Sequence, residues 1–563
     1  MKKSSEKKSL DTICRGRFAS LGLTSLAAAM LAAGAANKSV ASDPEAVAPD
    51  AEAVASEDAE AMAHRRPPPS TLLPTVNVPK AACQREDNPE TGFQGQVPAS
   101  MRVPGGFKGF NCNLQLVSQS RGDGASWQHA WFSDGKHDCE YYDTASNTVG
   151  RSHLGVVTID ATDPISPIPT AFLTSTSMLD PWESLKVNDR RQLLGAVSAT
   201  NGNGGPQIDL YDVSGDCRHP QLLSSFSVGT PEANAEFGTP IANPQIRGHE
   251  GSFSPDGLTY YGTDLFPGYI YPMDISDTLH PKMLAQWFTN STDSAIVQAT
   301  HGLSISENGN RAYFTIFGSG GANSTGAAAT NAFIIADVSD VQNRQPNPQL
   351  KIISLTIIPD GSAAQHTIPI KVHGKPYVVE VDEGGAGGNS MTGWTTACTM
   401  RQPPWNMARI FDVKDERHPV VVSEMRHEIN LPHNCASVIP DLAGISGFTY
   451  GSHYCSVDNK KDATTLVCGY FESGIRVFDI RDPANPKEIA YFNPPSVTTP
   501  SPGSQNNQTA AKGRPDHCSS QSHLDAKRGM LYVTCQDNGF YALKFEHGVW
   551  PFPTSKTPPG ESN

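Results

Sequence analysis

Between residues 110 and 546 the chain is a succession of short segments in which apolar and polar positions alternate, separated by Gly, Pro, Asn and Asp. No stretch of helix length carries apolar side chains at a 3.6-residue period. The clearest segment is GIRVFDIRDPANPKEIAYF, residues 474–492. Its alternation predicts a strand over 475–480 and a second strand over 487–492, with a turn at Asp482-Pro-Ala-Asn-Pro486 between them. The pattern recurs as HLGVVTIDATDPISPIPTAFL, QIDLYDVSGDCRHPQLLSSF, YIYPMDISDTLHPKMLAQW, AFIIADVSDVQNRQPNPQLKIIS and MARIFDVKDERHPVVVSEM. The aspartates that end the first strand of each pair are Asp160, Asp212, Asp274, Asp337, Asp412 and Asp479, separated by 52, 62, 63, 75 and 67 residues.

Two more β segments precede each pair. His301-Gly-Leu-Ser-Ile305 leads into a polar hairpin at Gly309 and a strand over 311–317, with comparable hairpins ending at Gly257, Gly374 and Gly529. Four antiparallel strands repeated at this period predict a β-propeller. Third strands begin near Val156, Ile208, Ile270, Phe333, Ala408, Ile475 and Gly539, which makes seven blades. The last of them, NGFYALKF, has no fourth strand after it, whereas Asn113-Leu-Gln-Leu-Val-Ser118 reads as a fourth strand with no third before it. Pairing the two orphans closes the ring and removes both open edges. The predicted fold is all-β: a seven-bladed β-propeller of four-stranded antiparallel blades, with an N-terminal strand completing the last blade.

The repeated signature, best preserved in GIRVFDIRDPANPKEIAYFNPP, resembles the LVIVD-repeat family of secreted bacterial β-propellers over roughly residues 110–546. It is more distantly similar to selenium-binding proteins, whose relatives include methanethiol oxidase, a propeller enzyme with a histidine-bound metal. The motifs of that enzyme do not match this chain residue by residue. The resemblance therefore implies a secreted propeller first, and metal-dependent oxidation only at a distance.

The flanks agree with export. Lys2, Lys3, Lys7, Lys8, Arg15 and Arg17 precede an apolar, Ala-rich run over 18–36, the form of a signal peptide spanning 1–36. Residues 37–109 are first rich in Ala and acidic residues and then in Pro, and are expected to be a disordered linker; 547–563 is expected to be a tail. The signal segment carries +4 of the chain's −14, so its removal leaves −18, which argues against nucleic acid and against an anionic membrane surface as partner. No membrane insertion is expected after signal removal. Apart from Cys14, ten cysteines remain, an even number that in an exported chain favours disulfides. Cys455/Cys468 and Cys518/Cys535 each flank one hairpin and are the first pairs to expect. The expected location is the periplasm or the extracellular space.

Candidate chemistry follows from register. The first strand of each blade lines a propeller's channel, so equivalent positions on successive blades meet at one height. His249, His301 and His366 each stand eight residues before a hairpin glycine, Gly257, Gly309 and Gly374. His453 aligns through its spacing to Val457, with His433 as a competitor for that place. The last blade offers Gln521 or His523, the first Trp127 with His129 two residues on, and the second Trp182 or Glu183. Neutral imidazoles converging on one point suit a first-row transition metal such as copper, iron, manganese or zinc, with Glu250 and Glu383 as further ligands or as groups that orient ligands. The predicted metal set is thus His249, His301, His366, His453, His523, Glu250 and Glu383.

The repeat aspartates are read as turn formers, through side-chain to backbone hydrogen bonds. Gly384-Gly385-Ala-Gly-Gly388 lacks the Lys-Ser/Thr and helix context of a phosphate loop, and no G-x-S-x-G elbow is present. Residues 384–405 and 493–516 are long insertions on blades five and seven. Two readings follow: an oxidoreductase with a channel metal acting on a small molecule, or a non-catalytic scaffold that binds a protein through its top-face loops. A lactonase would need a Ca²⁺ cage of carboxylates and Asn that the sequence does not assemble. A closed ring needs no partner to fold, so a monomer is expected.

Overall fold

The computed structural model describes residues 76–144, 150–199, 207–228, 247–265, 268–288, 300–317, 331–504 and 513–552. The expected signal peptide, the linker up to residue 75 and the tail from 553 lie outside the described residues. Seven antiparallel sheets follow one another along the chain. In the first blade the strands run from inner to outer as His129–Ser133, Asp138–Asp143, Val156–Asp160 and Ile168–Leu173. The seventh takes His523–Asp525, Met530–Cys535 and Gly539–Phe545 from the C-terminal end and Leu114–Ser120 from the N-terminal end. Its register runs from Leu114 opposite Phe545 to Ser120 opposite Phe540, so the ring closes as the two orphan strands require.

The burial pattern explains the layering. Burial is greatest in the middle strands, where all six residues of Met530–Cys535 are buried, and it extends to the inner strand Thr300–Ile305 of blade four, buried throughout. Outer strands have one wet face, and in Leu114–Ser120 only Leu114 is buried. The core lies between neighbouring blades, where Ile475 and Val477 of the sixth pack with Leu531, Val533 and Leu543 of the seventh.

The turn reading of the aspartates holds at every repeat. Asp160, Asp212, Asp274, Asp337, Asp412 and Asp479 each accept, on Oδ1, the backbone N–H two residues ahead, at 2.8–3.1 Å. Gly257, Gly309 and Gly374 have φ of +70°, +77° and +75°, a conformation that explains why the inner hairpins keep a glycine there.

Five disulfides use all ten of these cysteines: Cys83–Cys112, Cys139–Cys217, Cys398–Cys435, Cys455–Cys468 and Cys518–Cys535. Cys455 and Cys468 are direct cross-strand partners. Among the described residues no helix is long and apolar enough to cross a membrane.

The linker expected over 37–109 needs correction from residue 76 onward. That segment lies along the sixth blade: Val78 N–H donates to the Arg426 carbonyl, Gln94 donates to Glu488 at 2.9 Å, and Glu90 pairs with Arg476. Val97 and Phe107 are buried, and Phe110–Cys112 adds a fifth strand to the sheet. Its few apolar anchors, one disulfide and buried ion pairs replace the periodic pattern that would have announced structure. The expected tail likewise starts inside the core, with Trp550 buried 4.7 Å from the ring of Phe545. The insertion 384–405 forms a helix, Met391–Thr399, whose Ser390 N-cap accepts from Gly393 N–H; Cys398–Cys435 ties it to the short helix Cys435–Val438.

Candidate metal centre

Five side chains from five segments form two adjoining groups that share Glu183, one with His249 and His301 and the other with Glu383 and His453, the donor atoms within each lying within 4.8 Å of one another. His249 stands just before the inner strand Gly251–Phe253 of blade three, and His301 lies in the inner strand of blade four. His453 precedes Cys455–Val457 of blade six, and Glu183 precedes Lys186–Asn188 of blade two. Glu383 comes from the end of Lys375–Gly384, the second strand of blade five. His249 Nε2 is 3.0 Å from His301 Nε2, and these two lie 3.4 and 3.5 Å from Glu183 Oε2. His301 Nε2 is 2.7 Å from Glu383 Oε2, and His453 Nε2 is 3.0 Å from Glu183 Oε1. Donor atoms on a single ion with bonds of about 2.1 Å stand about 3.0 to 3.4 Å from their neighbours, the scale seen here.

Hydrogen bonding fixes what these atoms offer. His453 Nδ1 is 2.9 Å from the Ser519 carbonyl, which only accepts, so Nδ1 carries the proton and Nε2 turns its lone pair toward Glu183. A lone pair and a carboxylate oxygen 3.0 Å apart need a donor or a cation beside them, and the Gln365 side-chain amide reaches both, at 2.9 and 3.3 Å. Glu383 Oε2, although 2.7 Å from His301 Nε2, is not aligned with any donor and is left without a hydrogen bond. His301 and His453 are fully buried, and the His249 side chain, 12% exposed, is the most open of the five.

The electrostatics describe a negative pit. Burial disfavours the His301 imidazolium, but Glu183 and Glu383 outweigh it and lift its pKa to about 10. Burial likewise raises Glu183, and the charges and hydrogen bonds of His301, His249 and His453 bring it well below the carboxylate range. In the metal-free protein a proton on His301 thus supplies the positive charge that this donor set calls for.

Of the sequence-predicted set, the structure brings together His249, His301, His453 and Glu383; it places Glu250, His366 and His523 elsewhere. Glu250 lies behind the cluster. Its Oε2 accepts from Tyr454 OH at 2.8 Å and is 3.7 Å from His301 Nδ1, while Oε1 is 2.7 Å from His366 Nδ1. Burial raises the Glu250 pKa, but His366, His301 and Lys186 bring it down to about 2. His366 is displaced because of a β-bulge. Ala364 pairs with Asp382 and His366 with Val381, so Gln365 is the extra residue and takes the place beside the cluster. Gln365 Nε2 lies 2.9 Å from His453 Nε2 and 3.3 Å from Glu183 Oε1. His523 belongs to a different group, with Nδ1 2.7 Å from Glu140 Oε1 and its ring stacked on Trp131 at 4.7 Å; Glu140 Oε2 is 2.8 Å from His129 Nε2. His433 is exposed in the turn before Cys435–Val438, which leaves His453 as the channel residue of blade six.

Glu183, the carboxylate shared by all three imidazoles, was outside the predicted set. Register offered it alongside Trp182, and only the backbone settles the choice. Trp182 takes a φ of +50°, which sends Glu183 into the channel and leaves the indole at its mouth, with ring centroids 6.0 Å from His249 and 5.8 Å from Trp127. Other rings complete a collar: Trp127 and Phe471 lie 5.1 Å from His453, Phe448 lies 6.4 Å from it, and Phe317 lies 5.2 Å from His301.

No family model and no curated protein matches the chain. Among solved structures it is similar to Kuenenia stuttgartiensis hydrazine synthase, with 12% identity over 76% of this chain and 97% of that one, at a TM-score of 0.44. It is similar to a β-propeller domain from Myceliophteria thermophila, with 9% identity over 76% of this chain and 98% of that one, at a TM-score of 0.41. A third is the periplasmic gluconolactonase of Pseudomonas aeruginosa, with 12% identity over 69% of this chain and 97% of that one, at a TM-score of 0.40.

Proposed function

We propose that this chain is an exported propeller that holds one first-row transition-metal ion in its channel and carries out an oxidoreductase-type reaction on a small molecule there. The observation that carries this reading is a pair of donor groups that share Glu183, one with His249 and His301 and one with His453 and Glu383, the donor atoms of each lying within 4.8 Å of one another. The donor set fits the ion: nitrogen-rich sites suit copper, iron, manganese or zinc, whereas calcium and magnesium prefer oxygen ligands throughout. This composition also speaks against a calcium-dependent lactonase.

His249, His301, His453, Glu183 and Glu383 would hold the ion, which supplies Lewis acidity and, for a redox-active metal, one-electron exchange. The remaining groups have roles that follow from their contacts. Glu250 Oε2 faces His301 Nδ1 at 3.7 Å, on the side from which a carboxylate raises ligand basicity. Tyr454 OH bridges Glu250 Oε2 and Glu183 Oε2, at 2.8 and 3.2 Å, and holds both carboxylates in place. Gln365 donates toward His453 and Glu183 from the channel side. The aromatic collar keeps bulk water off the donors and leaves His249 as the open approach. Export is supported by five disulfides, which persist in oxidising compartments.

Elemental analysis of the purified mature protein tests the proposal. About one equivalent of a first-row metal is expected, falling below about 0.2 in His249→Ala plus His301→Ala. A native protein below that level, after exposure to each of the four ions, would leave the scaffold reading in its place.

A further inference from the structure

The short turns Ala99–Met101 and Ile439–Leu442 both line a cavity of about 200 Å³, to which none of the five donor residues contributes. At roughly 30 Å³ per water it has room for about six or seven waters, or for an organic molecule of that volume. Ala99, Pro440, Ala443 and Ile445 give it an apolar side, and Arg102 and Asp441 a charged one. Ala99, Pro440 and Ala443 are exposed, so the cavity opens to solvent. The Arg102 side chain is only 4% exposed. Its Nε donates to the Val97 carbonyl at 2.9 Å, its Nη2 to Tyr450 OH at 2.7 Å and its Nη1 to Glu472. A guanidinium has five N–H groups, so two of them have no acceptor among the described residues. Buried donors are rarely left in this way, and an unmet pair on a cation lining a cavity points to an oxyanion as the missing partner. Asp441 is fixed by the Ala99 N–H on Oδ1 at 2.9 Å and by Gln96 Nε2 on Oδ2 at 2.6 Å, which leaves each oxygen a further lone pair. Arg514 also reaches the lining, and Glu472 accepts from both guanidiniums. His517, beside Arg514, is neutral near pH 7, because burial and the Arg514 charge bring its pKa down to about 4. Two guanidiniums and two carboxylates leave the site with no net charge.

Independently of the metal reading, we infer that this cavity binds a small free amino acid with an apolar side chain. The α-carboxylate takes the two unmet N–H groups of Arg102, whose planar fork matches a carboxylate. The α-ammonium takes the remaining lone pairs of Asp441, and the side chain lies against Pro440, Ala443 and Ile445. Charge balance selects the zwitterion. A simple monocarboxylate would meet Asp441 with no positive group to offset it, and a simple amine would meet two guanidiniums. An amino acid carries both charges and matches both sides of the site.

Calorimetric titration of the full mature chain tests this with L-leucine and the shorter L-alanine. The controls are 4-methylpentanoate, which lacks the ammonium of leucine, and L-leucinamide, which lacks its carboxylate. At least one of the two amino acids is expected to bind saturably, with both controls at least tenfold weaker. Ala443→Phe fills the cavity from an exposed position and should abolish that binding with the melting profile unchanged. Asp441→Asn keeps the shape but loses the charge, and should weaken the amino acid at least tenfold while strengthening 4-methylpentanoate. No saturable binding of either amino acid up to about 10 mM overturns the inference. So does a control that binds as well as the amino acid, or amino-acid binding indifferent to Ala443→Phe.

Discussion

His249 Nε2 and His301 Nε2 face each other across 3.0 Å, although 52 residues and a blade boundary separate them. The two rings are perpendicular, with an interplanar angle of 89° and centroids 4.3 Å apart, so the contact is between nitrogens and not a stack. Two imidazole nitrogens this close require a shared proton or a shared cation. Replacing His249, the more open of the pair, should remove the second partner without disturbing the buried inner strand of blade four. His249→Ala is expected to fold with a native melting profile and to weaken metal binding by more than tenfold, measured by competition with a chelator.

Glu250 and His366 separate orientation from ligation. Glu250→Gln keeps the shape but loses the charge facing His301 Nδ1. It should weaken metal affinity by about 10- to 100-fold, the usual range for such a partner. His366→Ala should leave metal stoichiometry unchanged, because the ring contacts Glu250 and Gln521 and not the donor cluster. His453→Ala, one blade on, should abolish it. Chelator titration of the three variants checks the order.

Metal uptake should release protons. In the metal-free protein His301 has a pKa raised from 6.5 to about 10, and coordination requires its unprotonated nitrogen. Near pH 8 about one proton should therefore leave per ion bound, and affinity should climb with pH until about pH 10. The same shift sets a stability trend of opposite sign. The contribution of His301 to the metal-free fold is complete below pH 6.5 and is lost as pH rises through about 10. Indicator-dye release and melting of the metal-free protein between pH 6 and 10 read both.

Ring closure can be probed without touching the centre. Leu114 is buried opposite Phe545, while Leu116 on the same strand is 46% exposed. Leu114→Ala should lose about 2–4 kcal/mol of stability and Leu116→Ala less than about 0.5 kcal/mol. Denaturant unfolding of the two variants compares them.

The ring was legible because the blades repeat the same alternation, six of them with the same Asp turn and several with the same hairpin glycine. Even the shared seventh blade follows from counting strands. Part of the centre was legible for the same reason, since register alone selects His249, His301 and His453. Register fails where the backbone departs from regularity. The bulge at Gln365 moves His366 one layer away, and the left-handed Trp182 turns Glu183 inward. Neither departure has a sequence signature, because Gln and Trp are not residues that mark bulges or positive φ. His523 was misplaced for a third reason: Glu140, its partner, sits on the middle strand of blade one, where no comparison of inner strands would find it.

The central claim is a single ion held by imidazoles from blades three, four and six. An anomalous difference map, collected at the absorption edge of the metal found in the native protein, addresses it directly. One peak is expected, within about 2.0–2.3 Å of the Nε2 atoms of His249, His301 and His453, with Glu183 beside it. A map without a peak in the channel, from crystals of protein carrying stoichiometric metal, would contradict the account.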